Sequence, residues 1–297
     1  MEKVQHSQDV LSLNRRNKLG EQIFKVCMYV LMTLIGLILI FPYFFMVMKS
    51  LMSTEEVTSA ELVIIPAVPQ FSNYLRMLTD EGYFEAFGYT MFIIVFNLIA
   101  VPLSATFIAF GFARCKFFGK NVLFAFMLST LMLPGVVTQI PLYKLYSKIG
   151  WINTLWPLTV PNITGGGAIY IFLARSFLQS LPKELDDAAK IDGAGSLRRY
   201  FCIGLPLCKP IIIYIMINVF NSNWGDYYGP LVWRLNDDFP APLAYRVFHS
   251  LTNKMVANDI INIRMAAGVF MSLFPAVLFF IFQKQLIEGV AMDGLKG

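Results

Sequence analysis

The sequence predicts an all-α membrane protein with six transmembrane helices and a charged helix–turn–helix segment between the fourth and the fifth helix. Three observations support this fold class. Of the 297 residues, 57% are hydrophobic and only 14% are charged, whereas charged residues make up about a quarter of an ordinary soluble domain. Long uncharged runs recur along the chain. One compact charged stretch, residues 184–210, interrupts the second half.

The uncharged runs mark the expected spans, because a helix needs about 20 residues to cross about 30 Å of hydrocarbon. Five runs have this length or nearly so, at residues 26–48, 86–113, 121–143, 149–174 and 265–283. A sixth run, 210–225, is shorter. We expect its apolar flanks, 202–208 and 227–233, to extend it into the fifth of the six spans.

The basic residues orient the chain. With the amino terminus inside, Lys and Arg divide about two to one in favour of the cytoplasmic side, as short cytoplasmic loops do. We therefore expect a cytoplasmic segment at 1–22, disordered or lying at a surface, a membrane domain at 23–289 and a cytoplasmic tail at 290–297. The first run is too long for the apolar region of a signal peptide and is expected to remain as an anchor.

Composition and motifs exclude several functions. The net charge of +5 follows from the cytoplasmic bias, so no nucleic-acid partner is expected. The pair Gly119–Lys120 lacks the spacing and the Ser or Thr of a Walker A loop, and no catalytic constellation is found. The four cysteines match no metal-binding pattern, and in a reducing compartment we expect them to be packing residues. The chain is therefore expected to be neither an enzyme nor a metal protein.

Two runs contain residues that interrupt regular helix. The third carries Pro134 and Pro141, which membrane helices tolerate where neighbours satisfy the freed carbonyls. The fourth carries three consecutive glycines, residues 165–167. These glycines indicate either a close-packing face or a local unwinding that lines a cavity.

Two outer loops are predicted. The loop at about 50–85 contains "FSNYLRML", which predicts a short helix capped at Ser72 or Asn73. The loop at about 234–262 includes Asp237 and Asp238, and it is long enough to fold against something outside the membrane.

The charged segment at 182–206 begins with a short predicted helix. Pro182 suits the first turn of a helix because its missing N–H is an unpaired donor there in any case. Glu184, Asp186 and Asp187 follow in the first turns, where the helix dipole favours negative charge. Gly193 predicts the stop, since glycine adopts a left-handed conformation without penalty.

A second helix is expected after this turn. Ser196 is its predicted cap, and it should end at 204–206. In the first helix, Ala188 and Ala189 leave a face open to close approach by a partner, and a helix this short needs a docking surface to persist. The alternative is a solvated amphipathic loop that only joins two spans.

The pattern of the segment favours the docking hypothesis. It contains "DAAKIDGAGSLRRYFCIGLP", which resembles the EAA cytoplasmic loop of ABC importer permeases: E-A-A, three residues, Gly, about nine residues, then I-x-L-P. Asp187, Ala188 and Ala189 match the first element, Gly193 matches the glycine, and 203–206 match the ending. Asp187 stands where the family usually has Glu, which keeps the charge and changes its reach.

The resemblance extends over nearly the whole chain. "RSFLQSLPKEL", "MLPGVVTQIPLY" and the ending "EGVAMDGLKG" are similar to sugar permeases of the maltose-transporter type. Such a protein works in a bacterial or archaeal cytoplasmic membrane, in contact with lipid, with both termini in the cytoplasm.

The resemblance also implies partners. These permeases pair with a second, related permease, bind two ATPase subunits that hold ATP and Mg²⁺, and receive a sugar or oligosaccharide from an extracytoplasmic binding protein. No cofactor is then expected in this chain. The residues that would couple it to the ATPase are Glu184, Leu185, Asp187, Ala188, Ala189, Asp192 and Gly193.

A polar stripe along the fifth span is the candidate solute pathway. Amides and aromatic rings suit sugars, since hydroxyls pair with amides and ring faces pack on apolar sugar faces. The alternative is hydrogen bonding between helices. In a pair of permeases the partner could also hold the solute alone. The stripe is Tyr214, Asn218, Asn221 and Tyr228, spaced i, i+4, i+7 and i+14, and Trp224 and Asp226 lie near its outer end.

Three alternative functions make different predictions. An ABC permease for a different polar solute, such as a uronate or a sugar phosphate, would show extra cationic residues in the partner's pathway. An ion-coupled secondary transporter would need carboxylates at the membrane midplane and internal repeats, and neither is found in the sequence. A membrane scaffold would not need the polar stripe.

Overall fold

The computed structural model describes residues 2–79, 82–236, 239–252 and 261–294, and within these ranges all regular structure is helical. Two compact units are formed, one from residues 1–74 and 258–269 and the other from 75–257 and 270–297. Asp237 and Asp238, in the second predicted outer loop, lie outside the described residues. The helices are α1 Glu2–Ser50, α2 Thr54–Thr58, α3 Ser72–Thr79, α4 Tyr83–Arg114, α5 Lys120–Ser129, α6 Gly135–Lys148, α7 Ala168–Ser180, α8 Glu184–Ile191, α9 Ser196–Arg199, α10 Leu205–Leu207, α11 Lys209–Trp224, α12 Tyr228–Trp233, α13 Leu243–Thr252 and α14 Ile261–Gly294.

Three helices in the described ranges are long and apolar enough to cross a membrane: the Glu21–Ser50 part of α1, the whole of α4, and the Ile261–Gln283 part of α14. Two pairs of helical segments are each bent at a short break, namely 120–132 with 135–148 and 196–207 with 209–224. The number of candidate spans rises to five if each pair forms one span. The predicted number of six therefore stays a prediction. The first and the last helix extend beyond the expected membrane domain at 23–289. The backbone of α1 is helical from Glu2, and that of α14 is helical as far as Gly294.

The third predicted span is a broken one. α5 is followed by a 3₁₀ turn, Thr130–Met132, and α6 starts at Gly135 after a bend of 102°. Pro134 explains the break, because a proline pushes the residue before it out of the helical region, and Leu133 is indeed extended, with φ −78° and ψ 120°. Pro141 lies inside α6 without ending it.

The fourth predicted span is not a continuous helix, and here the prediction was wrong. Two 3₁₀ turns, Trp156–Leu158 and Val160–Thr164, precede α7. The three glycines at 165–167 all have positive φ, between 64° and 127°, so the backbone unwinds before α7 begins. A Cβ added to Gly166 would lie 2.4 Å from Cγ1 of Val101 in α4. Unwinding and close packing therefore occur together at these glycines.

The first unit contains a short polar core beside the end of α1. The side chain of Asn73 donates to the carbonyls of Ser50 and Met52, each at 2.9 Å, and Asn262 donates to the Met52 carbonyl at 3.1 Å. The predicted helix in "FSNYLRML" is confirmed as α3, which starts at Ser72. Ser72 and Asn73 are both helical residues of α3, so neither precedes the helix as its cap, and the side-chain oxygen of Asn73 accepts from Asn262 at 3.3 Å.

The core of the second unit lies where α4 packs against α7 and α11. Small residues let these helices approach closely: Ala105, Ala109 and Ala174 are fully buried. Around them pack larger side chains from α4, α7, the Tyr200 turn and α11, namely Val101, Phe110, Ile171, Leu178, Tyr200, Cys208, Ile215 and Val219. Of the four cysteines expected as packing residues, Cys208 is buried whereas Cys27 and Cys202 are exposed.

Candidate functional site

The α8–α9 segment, residues 182–206, is a helix–turn–helix as predicted. α8 begins at Glu184, and Glu184, Asp186 and Asp187 occupy its first turn. Lys183 is the N-cap residue, so Pro182 precedes the helix and does not lie in its first turn. The acidic first turn places negative charge at the positive end of the helix dipole.

Gly193 ends α8 in the predicted way. Its φ is +75°. The amide of Gly193 donates to the Lys190 carbonyl at 3.0 Å, and that of Ala194 donates to the Ala189 carbonyl at 2.9 Å. This pair of bonds is the Schellman motif, in which a left-handed glycine satisfies carbonyls that the helix leaves unpaired.

The second helix differs from the prediction in both its start and its end. Gly195, with φ −64° and ψ 168°, is the cap, and Ser196 is the first helical residue. Its hydroxyl accepts from Arg199 at 3.0 Å, so it does not cap the helix. The helix continues past 204–206 through a π-helical turn, Tyr200–Gly204, and α10, and it bends by 73° into α11.

The π-helical turn is fixed to α4. The hydroxyl of Tyr200 lies 3.0 Å from that of Thr106 and donates to the Leu103 carbonyl at 3.1 Å. A Cβ added to Gly204 would meet the ring of Phe110 at 2.9 Å. Extra backbone in a π turn often marks a functional position, and here it brings the end of the segment against the core helix.

Asp186 and Asp187, both in the first turn of α8, have different surroundings. Asp187 is exposed and pairs with Lys190 at 2.6 Å, and this hydrogen bond lowers the pKa of the Asp187 carboxyl. Asp186, one residue earlier, is 8% exposed.

Asp186 is the centre of a buried ion triad, defined here as Asp186, Arg114 and Arg199. One carboxylate oxygen lies 3.0 Å from Arg114 Nη1, and the other lies 3.4 Å from Arg199 Nη1. The sequence predicts that Asp186 lies in the helix but does not predict these contacts. The only local signal was that Asp186 and Ala189, three residues apart, share one face of the helix.

The exposed surface of the segment combines apolar and acidic side chains. Ile191 is 87% exposed and Leu197 is 62% exposed. Among the residues predicted to couple to an ATPase, Ala189 is buried in this chain, so it supports α8 from inside and is not available to a partner. The remaining predicted coupling residues are exposed: Glu184, Leu185, Asp187, Ala188, Asp192 and Gly193.

The predicted polar stripe is only partly formed. Tyr214, Asn218 and Asn221 lie along one face of α11, and the Asn218 amide donates to the Tyr214 carbonyl at 2.9 Å. α11 ends at Trp224, and Tyr228 starts the separate helix α12. Tyr228 therefore does not continue the stripe, and its hydroxyl donates to Gln139 Oε1 of α6 at 3.0 Å.

Trp224 and Asp226 also have structural partners. The Trp224 indole is buried, donates to the Met271 carbonyl at 2.8 Å and packs on Phe274 with ring centres 4.6 Å apart. Its ring face is not open to a solute. The Asp226 carboxylate accepts from the Gly229 amide at 2.8 Å, which ties α11 to the start of α12.

A cluster of three asparagines, Asn97, Asn162 and Asn223, joins α4, the 3₁₀ turn and α11. Asn97 is fully buried and donates to Asn223 Oδ1 at 2.8 Å, while its own oxygen accepts from Asn162 at 3.1 Å. Asn97 and Asn162 are isolated in sequence, and only folding brings them together with Asn223 near the end of α11.

The asparagine cluster borders a cleft of about 190 Å³. Amide groups of Asn162 and Asn223 and the carboxylate of Asp226 face it together with apolar side chains. These groups can exchange hydrogen bonds with a polar solute. In the described ranges, no group of three or more His, Cys, Asp or Glu side chains is placed to hold a metal ion. The lining consists of Ile93, Pro157, Leu158, Asn162, Asn223, Asp226, Gly229, Pro230, Trp233 and Pro242.

Comparison with known proteins gives consistent matches. The family model of the binding-protein-dependent transport system inner membrane component matches residues 104–291. The arabinooligosaccharide transport system permease protein AraQ of Halalkalibacterium halodurans is 30% identical over 268 residues, covering 89% of this chain and 93% of that protein. The galactooligosaccharide permease GanQ of Bacillus subtilis is 29% identical over 274 residues, with coverages of 91% and 94%.

The fold also matches a solved structure. The structure is described as a crystal structure of a bacterial ABC transporter involved in the import of the acidic polysaccharide alginate. It aligns with a TM-score of 0.76 at 20% identity, covering 89% of this chain and 97% of that chain. This likeness confirms the predicted all-α membrane fold.

Proposed function

We propose that this chain, which belongs to the family of inner membrane components of binding-protein-dependent transport systems, is the permease subunit of an ATP-driven importer of a carbohydrate. It would form the pathway with a second, related permease. Two cytosolic ATPase subunits would supply the energy and hold ATP and Mg²⁺. An extracytoplasmic binding protein would deliver the solute. Both termini would be cytoplasmic.

The α8–α9 segment carries the proposal. It is tied to the ends of α4 and α7 through the buried ion triad. Its exposed side chains include the apolar Ile191 and Leu197 and the carboxylates of Glu184, Asp187 and Asp192. An exposed surface that combines apolar and polar side chains is typical of an interaction site. Because the segment resembles the EAA loop of importer permeases, the partner that fits this surface is the ATPase.

The solute class follows from the relatives and from the cleft. Relatives over nearly the whole chain are permeases for arabinooligosaccharides and galactooligosaccharides. The cleft offers amides from Asn162 and Asn223 and a carboxylate from Asp226, and its lining includes neither Lys nor Arg. A neutral sugar or oligosaccharide suits such a lining better than a uronate or a sugar phosphate, because an anion would face Asp226 without a compensating cation.

Reconstitution tests the proposal. The chain is placed in proteoliposomes with its partner permease, the ATPase and the binding protein, and uptake of labelled arabino-, galacto- and maltooligosaccharides is measured with and without ATP. We expect ATP-dependent uptake of at least one neutral oligosaccharide, and no ATP hydrolysis by the purified chain alone. Uptake driven by an ion gradient in the absence of the ATPase would contradict the proposal, as would uptake restricted to anionic sugars.

A further inference from the structure

The three residues of the ion triad come from three helices, α4, α8 and α9, and Arg114 also contacts the end of α7. Asp186 is in the first turn of α8, Arg114 is the last residue of α4, and Arg199 is the last residue of α9. The three side chains are only 8–11% exposed. Charges this buried need their partners, because an unpaired one keeps the full desolvation penalty.

Arg114 links α8 to the ends of α4 and α7. While Nη1 contacts Asp186, Nη2 donates to the carbonyls of Leu178 and Leu181 at 2.6 and 2.9 Å. These carbonyls are at the carboxyl end of α7, where the last turn lacks partners within the helix. One guanidinium therefore fixes the end of α4, the end of α7 and the start of α8 relative to one another.

Arg199 closes the helix–turn–helix from the other side. Its Nη1 contacts Asp186 across the Gly193 turn, and its Nη2 donates to Ser196 Oγ. Since Asp186 forms ion pairs with both arginines, the same carboxylate holds α9 against α8 and holds α8 against α4 and α7. Asp187 differs in this respect, because it forms its ion pair with Lys190 on the same helix.

We propose that Asp186 is the positioning residue for coupling, because it makes the α8–α9 segment one rigid piece with the ends of α4 and α7. This inference rests on the proposed function. A displacement imposed on the exposed face of α8 then reaches the core helices α4 and α7 directly. Without Asp186, α8 would still offer its exposed face to the ATPase, but its movement would be absorbed where α8 meets α4.

The test replaces Asp186 in the full complex of both permeases, ATPase and binding protein. Asp186→Asn keeps the shape and removes the charge, and Asp186→Glu restores the charge. Lys190→Gln is the matched control, because it breaks the exposed ion pair on the same helix. For each variant we measure ATP hydrolysis, solute uptake, ATPase copurification and hydrogen exchange of the α8 amides.

Asp186→Asn should keep the ATPase bound but lower the uptake per ATP hydrolysed by at least about tenfold, since a buried pair has lost one partner. Exchange of the α8 amides should rise by a similar factor, as local opening becomes easier. Asp186→Glu should recover most of the coupling, and Lys190→Gln should resemble the wild type in both measurements.

Wild-type coupling and exchange in Asp186→Asn would overturn the inference. Loss of the ATPase together with uptake would also overturn it, because Asp186 would then serve docking. If Asp186→Asn does not accumulate in the membrane, Arg199→Lys, which keeps the charge but changes the contact, provides the same comparison. If the wild-type complex transports no carbohydrate, the proposed function fails, whereas the exchange data still decide whether Asp186 holds the segment.

Discussion

Gly193 allows a sharp test of the turn between α8 and α9. Its φ of +75° is in the left-handed region, and a Cβ added there would meet no atom within 4 Å. The cost of a substitution is therefore one of backbone conformation alone. For an ordinary L-residue it is roughly 1–2 kcal/mol, and for a β-branched residue it is larger. A cost of about 1–2 kcal/mol changes the population of the intact turn about 5- to 30-fold.

We expect Gly193→Val to remain inserted in the membrane, because lipid and helix packing hold the spans, and to lose uptake by about this factor or more. Gly193→Asn should lose least, since asparagine tolerates the left-handed region, and Gly193→Ala should fall between the two. The assay compares uptake, ATP turnover and ATPase copurification in the reconstituted complex.

Gly119 supplies the matched control. It has φ +73° and likewise no atom within 4 Å of an added Cβ, but it lies in the turn before α5, outside the α8–α9 segment. Gly119→Val should therefore carry the same backbone strain without the uptake defect. Normal transport by Gly193→Val with the ATPase fully bound would refute the reasoning, and so would an equal defect in Gly119→Val.

Three further predictions concern other parts of the chain. Asn97→Leu removes the buried partner that Asn162 and Asn223 share. The free energy of unfolding in detergent should therefore fall by about 1–3 kcal/mol, whereas Asn221→Leu, at an exposed position, should change it little. Equal melting curves for the two variants would contradict the role of the cluster. Hydrogen bonds from the Ala67 and Ser53 amides lower the pKa of Glu56 below its ordinary value. Their contribution to the stability of residues 53–67 is complete above the ordinary pKa and is lost as the pH falls through the lowered pKa. Exchange of the 53–67 amides should therefore rise only in acid, and a Glu56→Gln variant with the same acid profile would disprove this. An impermeant thiol reagent applied to intact cells should label a cysteine placed at 237 and spare one at Ser196, and the reverse pattern would invert the predicted topology.

The turn of the α8–α9 segment could be predicted because its causes are local. An acidic first turn and a glycine in a left-handed conformation are fixed within one helix, and both are found at their expected residues. The fourth span failed because length and lack of charge do not distinguish a helix from unwound backbone. There the three glycines at 165–167 all have positive φ, and Gly166 lies so close to Val101 of α4 that an added Cβ would clash with it.

The contacts of Asp186 and Asn97 could not be predicted for a related reason. Asp186 has an unremarkable position in an acidic helix, and its partners Arg114 and Arg199 come from α4 and from beyond the Gly193 turn. Asn97 meets Asn223, which is 126 residues away in sequence. Such pairs depend on which helices pack together. Tyr228 is not part of the polar stripe for a local reason, because α11 ends at its C-cap residue Gly225.

Photo-crosslinking from α8 tests most directly whether this chain is driven by an ATPase through the α8–α9 segment. A photoreactive amino acid is placed at Ile191, which is 87% exposed, and for comparison at Phe118, an exposed residue of the α4–α5 turn. Irradiation of the purified complex should join residue 191 to the ATPase subunit in high yield, with a yield that changes when ATP is bound, and should join residue 118 to it far less. Equal crosslinking from both positions, or none from 191 in a complex that still transports, would contradict the account.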